Sequence, residues 1–200
     1  MYKRQGYEHA GLEKNNGGSL TIADEDKNGK LTAWGEQQGA GIGGGSGKDG
    51  SNIFIPGGRV KAIGGLAAAG IGGGLGGNGS NITISGGKVG ATNGLNGAGI
   101  GGGCYGAGNN ITVSGDAKLK VQGGVEDNID GAGAGIGDGG NSDERAIPVT
   151  GAEVVPDTSG LTTNGSIEYY APGADMEKDK PEKTTVGTLP PQEKPIDPGT

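Results

Sequence analysis

Two unrelated motifs recur at one shared interval. Gly-Ile-Gly-Gly-Gly opens at Gly41, Gly70 and Gly99, and Asn-Ile-(Phe/Thr)-(Ile/Val) opens at Asn52, Asn81 and Asn110, so both series step by 29 residues. A fixed period of this size predicts a solenoid, in which a repeat cannot bury its apolar face alone and stacks on its neighbours to do so. Glycine at 50 of 200 residues would point to disorder in a chain without a period. Here the glycines fall at set places in each copy and read as corners. With 30% hydrophobic and 4% aromatic residues the chain cannot fill a wide core of large side chains, but it can fill a thin one of repeated Ile and Val.

Within one copy, Asn81-Ile82-Thr83-Ile84-Ser85 alternates apolar and polar, so Ile82 and Ile84 share one face of a short strand. The Gly86-Gly87 pair turns the chain, Val89 and Ala91 alternate in a second strand, and Gly99-Ile100-Gly101 supplies one more apolar side chain. Three short strands and three turns make a triangular coil. Stacking the coils predicts inward columns Ile42/Ile71/Ile100/Ile136, Ile53/Ile82/Ile111, Ile55/Ile84/Val113 and Val60/Val89/Leu119. It also predicts an amide ladder through Asn52, Asn81 and Asn110.

The repeats are expected to span 6–140, with a worn first copy at 6–35 and an insertion, Val125 to Gly131, that delays the last Gly-Ile-Gly. Residues 141–175 leave the period but keep short β-like runs, and are expected to be a cap over the open coil edge or the start of a further module. Residues 176–200, rich in Lys, Glu and Pro, read as a flexible linker, which suggests a tether to further modules of a longer chain. The opening Met1 to Gln5 resembles the translation of a sequencing-library adapter, so a truncated reading frame is expected. The fold class is therefore all-β: a right-handed parallel β-helix of about 29-residue coils, a short irregular β cap and a disordered tail.

Asn-Ile-Thr-Ile-Ser-Gly-Gly-Lys-Val-Gly-Ala joined to Gly-Ala-Gly-Ile-Gly-Gly-Gly resembles the glycine-rich repeats of right-handed parallel β-helix proteins, pectate-lyase-like solenoids found in large cell-surface proteins of Gram-positive gut bacteria and often described as carbohydrate-binding. The resemblance covers roughly residues 10–140 and carries no catalytic residue across. It implies an extracellular or cell-wall location, and a non-catalytic structural or adhesive role with glycans or surface proteins as partners. The rival expectation is a piece of a β-helix polysaccharide lyase or glycoside hydrolase whose catalytic coils lie elsewhere.

Motifs that carry chemistry are few. Gly39-Ala40-Gly41-Ile42-Gly43-Gly44 satisfies the dinucleotide pattern, but that pattern needs a helix after its glycines, and here a loop and a strand follow. Asp24, Asp26 and Asn28 alternate ahead of Gly29 as in a calcium loop, and are the candidate metal ligands; Gly35 stands where the bidentate Glu belongs. The competing reading is a strand-turn-strand bent at Asn28-Gly29. Glycoside hydrolysis needs paired carboxylates on one face, and the repeats supply none; Glu126, Asp127 and Asp130 cluster only in the insertion. No catalytic residue and, calcium apart, no cofactor is expected. Cys104 is the single cysteine and has no histidine partner among the repeats. A net charge of −7 suggests no basic surface for a nucleic-acid backbone, and no apolar run of about 18 residues predicts membrane insertion.

Overall fold

The computed structural model describes residues 8–14, 17–24, 28–143 and 145–191. Over them the chain is all β and winds as a parallel solenoid. The first coil contributes β1 (Leu12–Glu13), β2 (Leu20–Thr21) and β3 (Lys30–Trp34); the second β4 (Ile42–Gly43), β5 (Gly50–Ile55) and β6 (Arg59–Ile63). The third contributes β7 (Ile71–Gly72), β8 (Gly79–Ile84) and β9 (Lys88–Thr92); the fourth β10 (Ile100–Gly101), β11 (Gly108–Val113) and β12 (Lys118–Gln122). Further along lie β13 (Ile136–Gly137), β14 (Asn141–Ser142), β15 (Pro148–Val149), β16 (Ser166–Tyr170) and β17 (Lys183–Val186). Like strands stack into three sheets, in the orders β1-β4-β7-β10-β13, β11-β8-β5-β2 and β17-β16-β12-β9-β6-β3.

The registers are those the 29-residue step requires. Ile42, Ile71, Ile100 and Ile136 are vertical neighbours, as are Ile53, Ile82 and Ile111. Ile55, Ile84 and Val113 form a third column, and Val60, Val89 and Leu119 a fourth that Ile167 extends. Most of these side chains are fully buried and form one continuous core. Each removes apolar surface worth about 1.5–3 kcal/mol from water, which is how a glycine-rich chain sustains a fold.

Corners rather than strands dictate the glycines. In each full copy the alanine before Gly-Ile-Gly donates to the carbonyl four residues on, Ala69 to Gly73 at 2.9 Å and Ala98 to Gly102 at 2.9 Å, closing a tight arc around one buried Ile. The arc leaves Gly72 at φ +138, and a Cβ there would lie 2.0 Å from the Gly101 carbonyl oxygen of the next coil. Backbone therefore meets backbone at this corner, and no side chain fits between.

Beyond β13 the coil loosens but does not end. Ile136 pairs with Ile100 in the first sheet, Asp157 bridges Thr112 at the edge of the second, and β16 pairs in parallel with β12 in the third. Residues 136–170 thus trace a fifth coil, with β14 and β15 forming a small antiparallel pair inside it. β17 then pairs antiparallel with β16 and lies along the last edge of the third sheet. That strand falls inside the stretch 176–200 whose composition reads as a linker.

Candidate functional site

The third sheet has an outward face built of in-register columns. In Arg59-Val60-Lys61-Ala62-Ile63 the pleat sends Val60 and Ala62 into the core and leaves Arg59, Lys61 and Ile63 outside. Because the strands are in register, outward residues form columns. The first is Lys30, Arg59, Lys88 and Lys118, all exposed and each one strand from the next, a spacing of ~4.8 Å. The second is Thr32, Lys61, Gly90, Lys120 and Glu168, and the third is Trp34, Ile63, Thr92, Gln122 and Tyr170.

Among the described residues the ion pairs are His9–Glu13, Lys48–Glu13, Lys120–Glu177 and Lys178–Asp175. Lys30, Arg59, Lys61, Lys88 and Lys118 belong to none of them. Like charges directly opposite on adjacent strands destabilise a sheet. A column of four cations outside any of these ion pairs therefore costs stability, even with Asp24 and Asp116 lining the hollow beside Arg59 and Lys88.

Hollows lie on both sides of this column. One of about 630 Å³ covers the second and third columns, with Lys61, Lys88, Lys118 and Lys120 among its walls. The other, about 680 Å³, follows the glycine corner between the second and third sheets, where Gly57, Gly58, Gly86 and Gly87 line it beside Arg59 and Lys88. A strap closes the upper end of the first hollow. Gln122 donates to the carbonyls of Ala171 at 2.7 Å and Ala174 at 2.8 Å, accepts from Thr92 Oγ1 at 2.9 Å, and is 6% exposed although it points outward. Lys120 donates to the Met176 carbonyl at 2.5 Å, lies 3.5 Å from Glu177, and sits 5.7 Å over the Tyr170 ring.

The candidate calcium loop is only partly visible. Asp24 Oδ2 accepts the Gly29 N–H at 2.8 Å just ahead of β3, and Asn28 is exposed. Asp26 lies outside the described residues. No group of three or more His, Cys, Asp or Glu poised to hold a metal occurs among the described residues. Calcium at this loop rests on the sequence pattern alone.

Two acids of the insertion, Asp127 and Asp130, act as clamps. Asp127 Oδ1 accepts the backbone N–H groups of Asp130 and Ile129, each at 2.8 Å, and these bonds hold its carboxyl below the usual range. Asp130 Oδ1 accepts the Tyr105 hydroxyl at 2.5 Å, and that hydroxyl also lies 3.0 Å from Ser142 Oγ, tying the fourth coil to the insertion and to β14. Cys104 is buried with its Sγ 3.6 Å from Asp130 Oδ2; burial, and then the charge of Asp130, pushes its thiol up to about 12. A thiol held protonated in this way is no nucleophile near neutral pH.

Compared with models of known protein families, with curated proteins and with solved structures, the chain matches none at a significant level. The site thus stands on its own geometry. Alternation within a copy sets Lys61 and Lys120 outward but does not reveal the fuller column beside them. The signal was present: Lys30, Arg59 and Lys88 each follow a glycine corner and each precede an inward Leu or Val. Net charge concealed it, because acids elsewhere outweigh a local row of bases. Among the described residues no helix is long and apolar enough to cross a membrane.

Proposed function

We propose that this chain is a non-catalytic structural and adhesive segment of a bacterial surface or secreted protein, a rod that binds glycans on the outward face of its third sheet. One observation carries the reading: the coils hold exposed Lys and Arg side chains in register, one strand apart, on one outward face. A repeating surface of this kind suits a repeating polymer, since each coil offers the next sugar the same contact. The extracellular or cell-wall location follows from the resemblance of the glycine-rich repeats, and the rod would space or present neighbouring modules. The test is a glycan array probed with the full chain, run beside hydrolysis and lyase assays on whatever binds. Retention of intact glycan supports the proposal. Shortened or unsaturated products would replace it with a β-helix lyase or hydrolase, and an array without any bound glycan would remove it.

A further inference from the structure

We infer that the ligand of the third-sheet face is a linear acidic polysaccharide carrying about one anionic group per sugar ring, laid along the solenoid axis over Lys30, Arg59, Lys88 and Lys118. The inference rests on the glycan-binding reading and names its chemistry. Four cations stand in one line perpendicular to the strands, and none forms an ion pair with a carboxylate of the described residues. Their line spans three strand spacings, ~14 Å. A pyranose ring advances its chain by close to one such spacing, so an anionic group on each ring meets a cation on each coil.

The walls agree with a chain lying lengthwise. Glycine corners flank the column on one side, where Gly57, Gly58, Gly86 and Gly87 carry no side chains of their own, and Asp24 and Asp116 share the lining of that hollow. On the other side Lys61 and Lys120 stand as a second, interrupted row. At the last-coil end Glu168 and Glu177 place negative charge beside Lys120, and the strap covers Gln122. The chain is thereby held to the first column and kept off the third.

Charge density separates this occupant from a nucleic acid. Duplex DNA carries one charge per ~1.7 Å of axis, nearly three times the density of the cation column. The remaining surface carries the excess acid of a chain with net charge −7, which opposes so dense a polyanion more strongly than a sparse one.

Titration calorimetry on the full chain tests the match with four probes: polymannuronate with a carboxylate on every ring, hyaluronate with one on every second ring, neutral dextran, and duplex DNA. Polymannuronate is expected to bind best, hyaluronate several-fold more weakly, and dextran not at all. Raising salt from about 50 to about 200 mM should weaken polymannuronate at least about tenfold, as for any contact made by exposed charges. The double change Arg59→Glu with Lys88→Glu should lower its affinity at least about tenfold, whereas Lys14→Glu with Arg145→Glu, which alters net charge equally at positions outside the third sheet and its strap, should leave it within about twofold. Arg59→Gln with Lys88→Gln repeats the test without new acids should the reversal perturb folding, which the melting temperature would reveal.

Dextran bound as well as polymannuronate, without salt dependence, would overturn the acidic-ligand inference and leave the glycan reading standing. Tighter binding of DNA than of polymannuronate would overturn it in favour of a nucleic-acid ligand. Polymannuronate binding untouched by both Arg59/Lys88 variants would place the site elsewhere and also overturn it. Failure of every glycan would remove the proposed function together with the inference.

Discussion

Asn81 does two jobs that no other residue type combines. Its φ of +53, shared with Asn52 at +55 and Asn110 at +48, is the left-handed conformation that asparagine tolerates better than most residues. Its side chain both donates and accepts: Asn110 Nδ2 donates to Asn81 Oδ1 at 2.5 Å, and Asn81 Nδ2 donates to Asn52 Oδ1 at 3.1 Å. Glycine would keep the backbone and lose the ladder, whereas alanine would lose both. Asn81→Gly is therefore expected to cost about 1–2 kcal/mol, from two exposed amide bonds. Asn81→Ala should cost roughly 1–2 kcal/mol more, the penalty for a Cβ in that conformation. Urea unfolding of the two variants separates the terms. Equal midpoints would show that the backbone there is unstrained, and two wild-type midpoints would show that the ladder is idle.

At the scale of elements, what could be read in advance depended on whether the period survived. β4 to β12 were legible because a 29-residue step fixes which residue lies above which, and pleating then assigns inside and outside. The fifth coil was not, because Val125 to Gly131 and the β14–β15 pair lengthen its turns and remove the spacing that identifies its strands. Composition also hid β17: Lys183-Thr184-Thr185-Val186 is polar on both faces because it covers an edge rather than a core, and a polar run beside prolines looks like a linker. The cationic face was half legible, its second column from alternation within a copy, its first only once the registers were known. The strap was illegible, since it depends on Gln122 and Lys120 reaching carbonyls some 50 residues onward. Gln122→Ala removes two of its hydrogen bonds and leaves the Ala171 and Ala174 carbonyls without that donor. Amide exchange at Ala174, Lys178 and Asp179 should then quicken by about tenfold, the equivalent of roughly one or two net hydrogen bonds, while β12 and β16 keep their protection. Unchanged exchange in the strap would assign its anchoring to Lys120 and Glu177 instead.

The whole molecule is a short one-dimensional stack, and its stability is the sum of coils and of the contacts between adjacent coils. In a long array such a sum permits piecemeal unfolding. Here four regular coils and one loose one share a single run of buried aliphatics from Ala33 to Ile167, so opening a central coil strips apolar cover from both neighbours at once. Ile82 sits at the centre, fully buried between Ile53 and Ile111. Its replacement by alanine removes contacts on two sides and should cost about 2–5 kcal/mol. The loss should fall on the whole rod rather than on the third coil. Cys104, buried in the fourth coil with its thiol held protonated, reports opening at a distance from the change, because it can be alkylated only when its coil unfolds. In Ile82→Ala the midpoint of thiol exposure in urea should therefore move down together with the midpoint of β-sheet circular dichroism, the two remaining coincident as a single cooperative transition demands. If the thiol kept its original midpoint while the circular dichroism moved, the coils would be separable units, and the rigid register on which the cation column depends would not extend from one end of the rod to the other.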